Sequence, residues 1–139
     1  MTADWSATLS DLSPDDRPLL SVVVPAYNEA RTIRRTLERL ESTLAGICDA
    51  HSYEIIVVDD GSEDSTRHVL TDFAADHGVV KCLRNEENRG KGHAVRTGTQ
   101  AATGELVLMT DADGDLTADR IATFLETLGR SGADVVIGS

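Results

Sequence analysis

Tyr53-Glu54-Ile55-Ile56-Val57-Val58-Asp59-Asp60-Gly61-Ser62 is the stretch that decides the fold. Ile55 to Val58 is a run of β-branched residues with no polar alternation, and two carboxylates and a glycine follow at once. A strand wetted on one face alternates, whereas one that is apolar throughout is buried on both. That pattern belongs to parallel sheets with helices on each side.

The segments around it repeat the pattern. Leu19–Val24 reads as a strand ending at Pro25, and Ala30, Ile33, Leu37, Leu40 and Leu44 recur at helical spacing after it. Past the central strand, Val69, Leu70 and Phe73 mark a second helix that Gly78 stops, and Val79–Leu83 a third strand. A glycine-rich loop then opens a helix closed near Thr103-Gly104, and Glu105–Thr110 is a fourth strand. Ile121, Phe124, Leu125 and Leu128 give a fourth helix ended by Gly129, and Ala133–Ile137 a fifth strand. The expected fold is α/β, a mostly parallel sheet with helices on both faces. Residues 1–18, polar and acidic, read as a tail, and residues 19–139 as one domain.

Composition narrows the partners. The chain has 139 residues, 24 Asp plus Glu against 13 Lys plus Arg, and a net charge of −11. Nucleic acid is excluded as a main partner, since phosphate backbones need a basic footprint. An Asp-rich chain whose only lysines are Lys81 and Lys91 suggests a salt-adapted, halophilic composition. No apolar run approaches the ~20 residues of a membrane span, and the acidic N-terminus has no signal-peptide core. A cytoplasmic location is expected, with Cys48 and Cys82 as reduced, buried or partly buried thiols.

In open α/β sheets ligands bind beyond the carboxyl ends of the strands, so four loops carry the chemistry. After the first strand come Pro25, Ala26, Tyr27, Asn28 and Glu29, where Asn28 can cap a helix whose free N–H groups suit an anion. After the second come Asp59 and Asp60, which point opposite ways, one structural and one ligand-facing. Ser62 and Asp64 read as caps of the next helix. The third loop, Asn88-Arg89-Gly90-Lys91-Gly92-His93-Ala94-Val95-Arg96-Thr97-Gly98, lies among four cations, Arg84, Arg89, Lys91 and Arg96, and suits a diphosphate. It is neither a P-loop nor a dinucleotide fingerprint, because the required glycine and Ser/Thr positions fail. The fourth, Asp111-Ala112-Asp113-Gly114-Asp115, sets three carboxylates at alternate positions, where a hard divalent cation relieves their repulsion. An EF-hand is excluded by Leu116 and Ala122 at its glycine and glutamate positions. A receiver domain or a haloacid-dehalogenase-like phosphatase fits the acidic loops only superficially, since neither has its acids and lysine on these strands.

Taken in order, VVVPAYNEA, IIVVDDGSEDST, NRGKGHAVRTG and ELVLMTDADGD resemble the N-terminal half of an inverting family 2 glycosyltransferase of the GT-A fold, a Rossmann-like architecture. NRGKG and DADG are most similar to the dolichyl- or polyprenyl-phosphate glucosyltransferase type, with the mannosyltransferase branch close behind. The resemblance implies transfer of a hexose from a nucleotide-diphosphate sugar, UDP-glucose before GDP-mannose, to a polyprenyl or dolichyl phosphate. It implies that Pro25, Ala26, Tyr27 and Glu29 line the nucleotide pocket and that Asp60 accepts the base imide N–H, with Asp59 supporting the turn. Gly90 and Lys91 would approach the base and the diphosphate, Lys91 adding positive charge at the leaving group. Asp111 and Ala112 would border the ribose, and Asp111, Asp113 and Asp115 would hold Mg²⁺ or Mn²⁺, Asp113 as the principal ligand. Domains of this type run to roughly twice this length, so the chain is expected to lack the acceptor half. A non-catalytic nucleotide-sugar and metal-binding fragment is the alternative.

Overall fold

The computed structural model describes residues 20–47, 52–112 and 117–131. The tail, Cys48, Asp113, Asp115 and the expected fifth strand lie outside the described residues. Four strands, β1 Leu20–Ala26, β2 Tyr53–Asp60, β3 Val80–Asn85 and β4 Leu106–Met109, form one sheet in the order β3-β2-β1-β4. Every pairing is parallel, with Val22 opposite Ile55 and Leu108, and Asp59 opposite Arg84. Between and after them run helices α1 Ile33–Ile47, α2 Thr66–Asp76, α3 Lys91–Ala101 and α4 Ala118–Ser131. None of the described helices is long and apolar enough to cross a membrane.

The larger core lies on one face of the sheet. Leu20, Val22, Val24, Ile55 and Val57 meet Ile33, Leu37, Leu40 and Leu44 of α1, Leu70 and Phe73 of α2, and Ile121 of α4. On the other face, α3 is the one described helix packed over β1 and β2, with Ile56, Val58 and Ala94 at its centre. It lies close because it presents small residues. A Cβ on Gly98 would come within 2.4 Å of Val23 Cγ1.

Three expectations about these elements need correction. Strand β1 runs through Pro25 to Ala26. Alternate residues of a strand face alternate neighbours, and the β4 ladder ends at Met109, so the missing N–H of Pro25 points where no ladder bond is required. Strand β4 is not buried on both faces: Val107 and Met109 are 45 % and 46 % exposed. It is an edge of the described sheet, and α3 covers β1 and β2 instead. Helix α4 continues past Gly129 to Ser131.

Candidate functional site

A cavity of about 260 Å³ opens at the carboxyl ends of the strands. Pro25, Ala26, Tyr27 and Glu29 line it from the end of β1 and the loop after it, Asp60 from β2, Asn88, Gly90, Lys91 and Ala94 from the third loop and α3, and Asp111 and Ala112 from the loop after β4. Asn88 and Ala94 lie within the third loop as read from the sequence but were given no role of their own there. Asn88 opens the NRGKG stretch, and Ala94 stands one helical turn after Lys91, so both positions were within reach of the motif.

The first two loops are laced to each other. Asn28 N–H donates to Ser62 Oγ (2.9 Å), Glu29 N–H to Thr66 Oγ1 (2.9 Å) and Ala30 N–H to Asp64 Oδ2 (3.3 Å). In return Asn28 Oδ1 accepts the N–H groups of Glu63 (2.9 Å) and Asp64 (3.4 Å). The anion site expected on the N–H groups after β1 is therefore not available, because side chains of the second loop already occupy them. Ser62 Oγ thus braces the neighbouring loop instead of capping the helix that follows it, whereas Asp64 does both, its Oδ1 accepting the N–H of Thr66 at the start of α2 (2.9 Å).

The paired acids divide as strand alternation requires. Asp59 lies outside the cavity lining. Its oxygens accept Ser62 N–H (3.0 Å) and Arg84 Nη1 (2.8 Å) on the face opposite Asp60. This pairing also removes Arg84 from the basic loop in which the sequence had counted it. Asp60 is 3 % exposed. Its Oδ1 accepts Asn85 Nδ2 (3.0 Å) and Arg89 N–H (3.1 Å), and its Oδ2 accepts Gly90 N–H (2.9 Å). Burial pushes the Asp60 carboxyl up, but these three donors and nearby His93 outweigh it and hold the group below the usual carboxylate range. Cys82 is chemically quiet. Burial, and then Asp59, raise its thiol to about 11, and Sγ donates to Leu70 O at 3.5 Å.

Across the cavity the Lys91 ammonium is paired with Asp111, and both side chains are about half exposed. A cation and a carboxylate thus share the site, one on α3 and one after β4. The model of the family described as Glycosyl transferase family 2 matches residues 21–139. This chain belongs to glycosyltransferase family 2.

The relatives of this family 2 domain carry glycosyltransferase names. It is 45 % identical over 101 residues to a dolichyl-phosphate beta-glucosyltransferase of Mus musculus, covering 68 % of this chain and 31 % of the relative. To the enzyme of the same name from Drosophila melanogaster it is 44 % identical over 115 residues, covering 77 % and 35 %. The chain spans about a third of the length of these curated relatives. Among solved structures it is similar to the mannosyltransferase PcManGT from Pyrobaculum calidifontis, in complex with GDP-Man and Mn²⁺. There the TM-score is 0.71 at 34 % identity, over 85 % of this chain and 35 % of that one. The α/β, GT-A-like architecture expected from the sequence is therefore borne out, and among the described strands of this chain every pairing is parallel.

Among the described residues no three His, Cys, Asp or Glu side chains gather as a cation site. Asp111 offers hard, half-exposed oxygens at the cavity, the donor type that Mg²⁺ and Mn²⁺ prefer.

Proposed function

We propose that this glycosyltransferase domain binds a nucleoside-diphosphate hexose, UDP-glucose before GDP-mannose, and serves hexose transfer to a dolichyl or polyprenyl phosphate. The observation that carries the reading is the cavity in which Tyr27, Lys91 and Asp111 meet at the carboxyl ends of the strands. The dolichyl-phosphate beta-glucosyltransferases it resembles favour glucose and a lipid phosphate. Such an acceptor brings the site to a membrane surface, on its cytoplasmic side in this reading.

Tyr27, Pro25, Ala26 and Glu29 border the nucleoside end, and Lys91 faces the diphosphate. An acceptor phosphate oxygen bonds to the anomeric carbon as that carbon's bond to the diphosphate breaks. The electron pair leaves on the nucleoside diphosphate. A lipid phosphate is already anionic near neutral pH, so little is asked of a general base. The ammonium of Lys91 stabilises the charge that develops on the leaving group. Asp111, with Asp113 and Asp115, would hold Mg²⁺ or Mn²⁺, which supplies Lewis-acid stabilisation to the same diphosphate.

Thermal denaturation with UDP-glucose and GDP-mannose, each with and without Mn²⁺, tests the reading. Bound ligand at a hundredfold over Kd stabilises by about 2.7 kcal/mol. The expected result is stabilisation by UDP-glucose with Mn²⁺, lost on chelation and in Asp113→Ala. No response to either nucleotide sugar overturns the proposal. Turnover with a short polyprenyl phosphate then separates transfer from binding alone.

A further inference from the structure

We infer that Asn28 is a positioning residue for nucleotide binding: it pins the first loop to the second, and so sets where the ring of Tyr27 stands at the cavity. The inference rests on the reading that the cavity takes a nucleoside diphosphate.

A side chain deep in a core is placed by its neighbours, but Tyr27 is 39 % exposed. Its place therefore depends on the backbone on either side of it. On one side Ala26 is the last residue of β1 and stands in the ladder opposite Asp59. On the other side is Asn28, at φ +53°, a left-handed conformation that Asn tolerates better than most residues. Asn28 does not line the cavity, whereas both of its chain neighbours, Tyr27 and Glu29, do. Its polar groups are turned to the second loop instead. The N–H donates to Ser62 Oγ (2.9 Å), and Oδ1 accepts the N–H groups of Glu63 (2.9 Å) and Asp64 (3.4 Å).

Bonds running in both directions leave the turn little freedom, provided that the second loop is itself fixed. It is. Ser62 is buried, and its N–H bonds to Asp59 Oδ1 (3.0 Å), while the other Asp59 oxygen accepts Arg84 Nη1 of β3 (2.8 Å). Tyr27 is thus held between the last rung of β1 and a loop that the Asp59–Arg84 ion pair ties to the sheet. That buried pair, which the transfer reaction does not use, serves as the anchor.

Calorimetric titration of the full chain with UDP in Mg²⁺ reads the effect. Asn28→Gly keeps the backbone conformation and loses the acceptor, and is expected to weaken UDP binding roughly fivefold, the scale of one lost hydrogen bond. In Tyr27→Ala the ring is gone, and adding Asn28→Gly to it is expected to cost nothing further, since both act through one contact. Glu54→Gln disturbs a hydrogen-bonded network at the start of β2, the end of the sheet away from the cavity. It is the control for lost stability alone, and is expected to leave UDP affinity unchanged.

An Asn28→Gly variant that binds UDP as well as the native chain overturns the inference. So does an equal loss with and without the Tyr27 ring, or a matching loss in Glu54→Gln. Should Asn28→Gly fail to fold, Ser62→Ala breaks the same brace from the other side by removing the acceptor of the Asn28 N–H. A loss there that disappears in the Tyr27→Ala background supports the assignment. Unchanged affinity, or a loss that persists without the ring, sinks it. A native chain that binds neither UDP nor GDP fails the nucleotide reading, and the inference with it. A native chain that binds, with variants that match it, fails the inference alone.

Discussion

At the scale of single residues, Gly61 joins the second and third loops. Its φ is +73°, and a Cβ there would lie 2.6 Å from Asn88 N and 2.7 Å from Glu87 C. Both are backbone atoms of the segment that leads into Asn88, Gly90 and Lys91, so relief requires that segment to move. Gly61→Ala is expected to lose about 2 kcal/mol of stability and to weaken UDP binding, read by denaturant unfolding and calorimetry. Unchanged UDP affinity in a destabilised variant would show that the loop tolerates the shift. In the sequence Gly61 is visible only as the glycine after the two carboxylates, not as a contact. Likewise, alternation says that Asp59 and Asp60 face opposite ways, yet one strand alone does not say which faces Arg84. That follows from the β2–β3 register, in which Asp59 stands opposite Arg84.

At the scale of elements, the strands and their order along the chain were legible, because burial on two faces leaves an unbroken apolar signature in β1 and β2. The uncovered face of β4 was not. Its residues are as apolar as the rest, and exposure depends on where α3 lies. The bracing between the first two loops was equally invisible, since its partners lie 34 to 37 residues apart. Asn28 holds that brace together. It adopts φ +53°, and its side chain accepts two N–H groups from the second loop. Two variants separate these contributions. Asn28→Gly keeps the left-handed backbone free of strain and loses the acceptor, for about 1 kcal/mol. Asn28→Ala also forces a Cβ residue without a local hydrogen bond into that conformation, for about 2 kcal/mol in total. Equal losses by chemical denaturation would show that backbone strain at this position contributes nothing.

At the scale of the whole molecule, a second polar network ties the sheet together at the end away from the cavity. Glu54 of β2 is buried. It accepts Ser21 Oγ of β1 (2.5 Å), Lys81 Nζ of β3 (2.7 Å), and the Thr103 N–H (2.8 Å) and hydroxyl (2.9 Å) between α3 and β4. Burial alone would raise this carboxyl. The four donors, Lys81 foremost, instead bring it down to about 2 from the usual 4.5. A group with a lowered folded-state pKa contributes stability above its unfolded value and loses it as pH falls toward the folded one. The contribution is therefore complete at neutral pH, on the order of 3 kcal/mol, and fades between about 4.5 and 2. The net charge of −11 acts in the opposite direction, since acid neutralises surface carboxylates and relieves their mutual repulsion. Glu54→Gln isolates the buried group, because it removes one titration and leaves the surface unaltered. The difference in unfolding free energy between the native chain and Glu54→Gln is expected to be largest above pH 5 and to shrink steadily toward pH 2. A difference that stays constant across that window would mean that the shape of the side chain, and not its charge among four donors, holds these strands together.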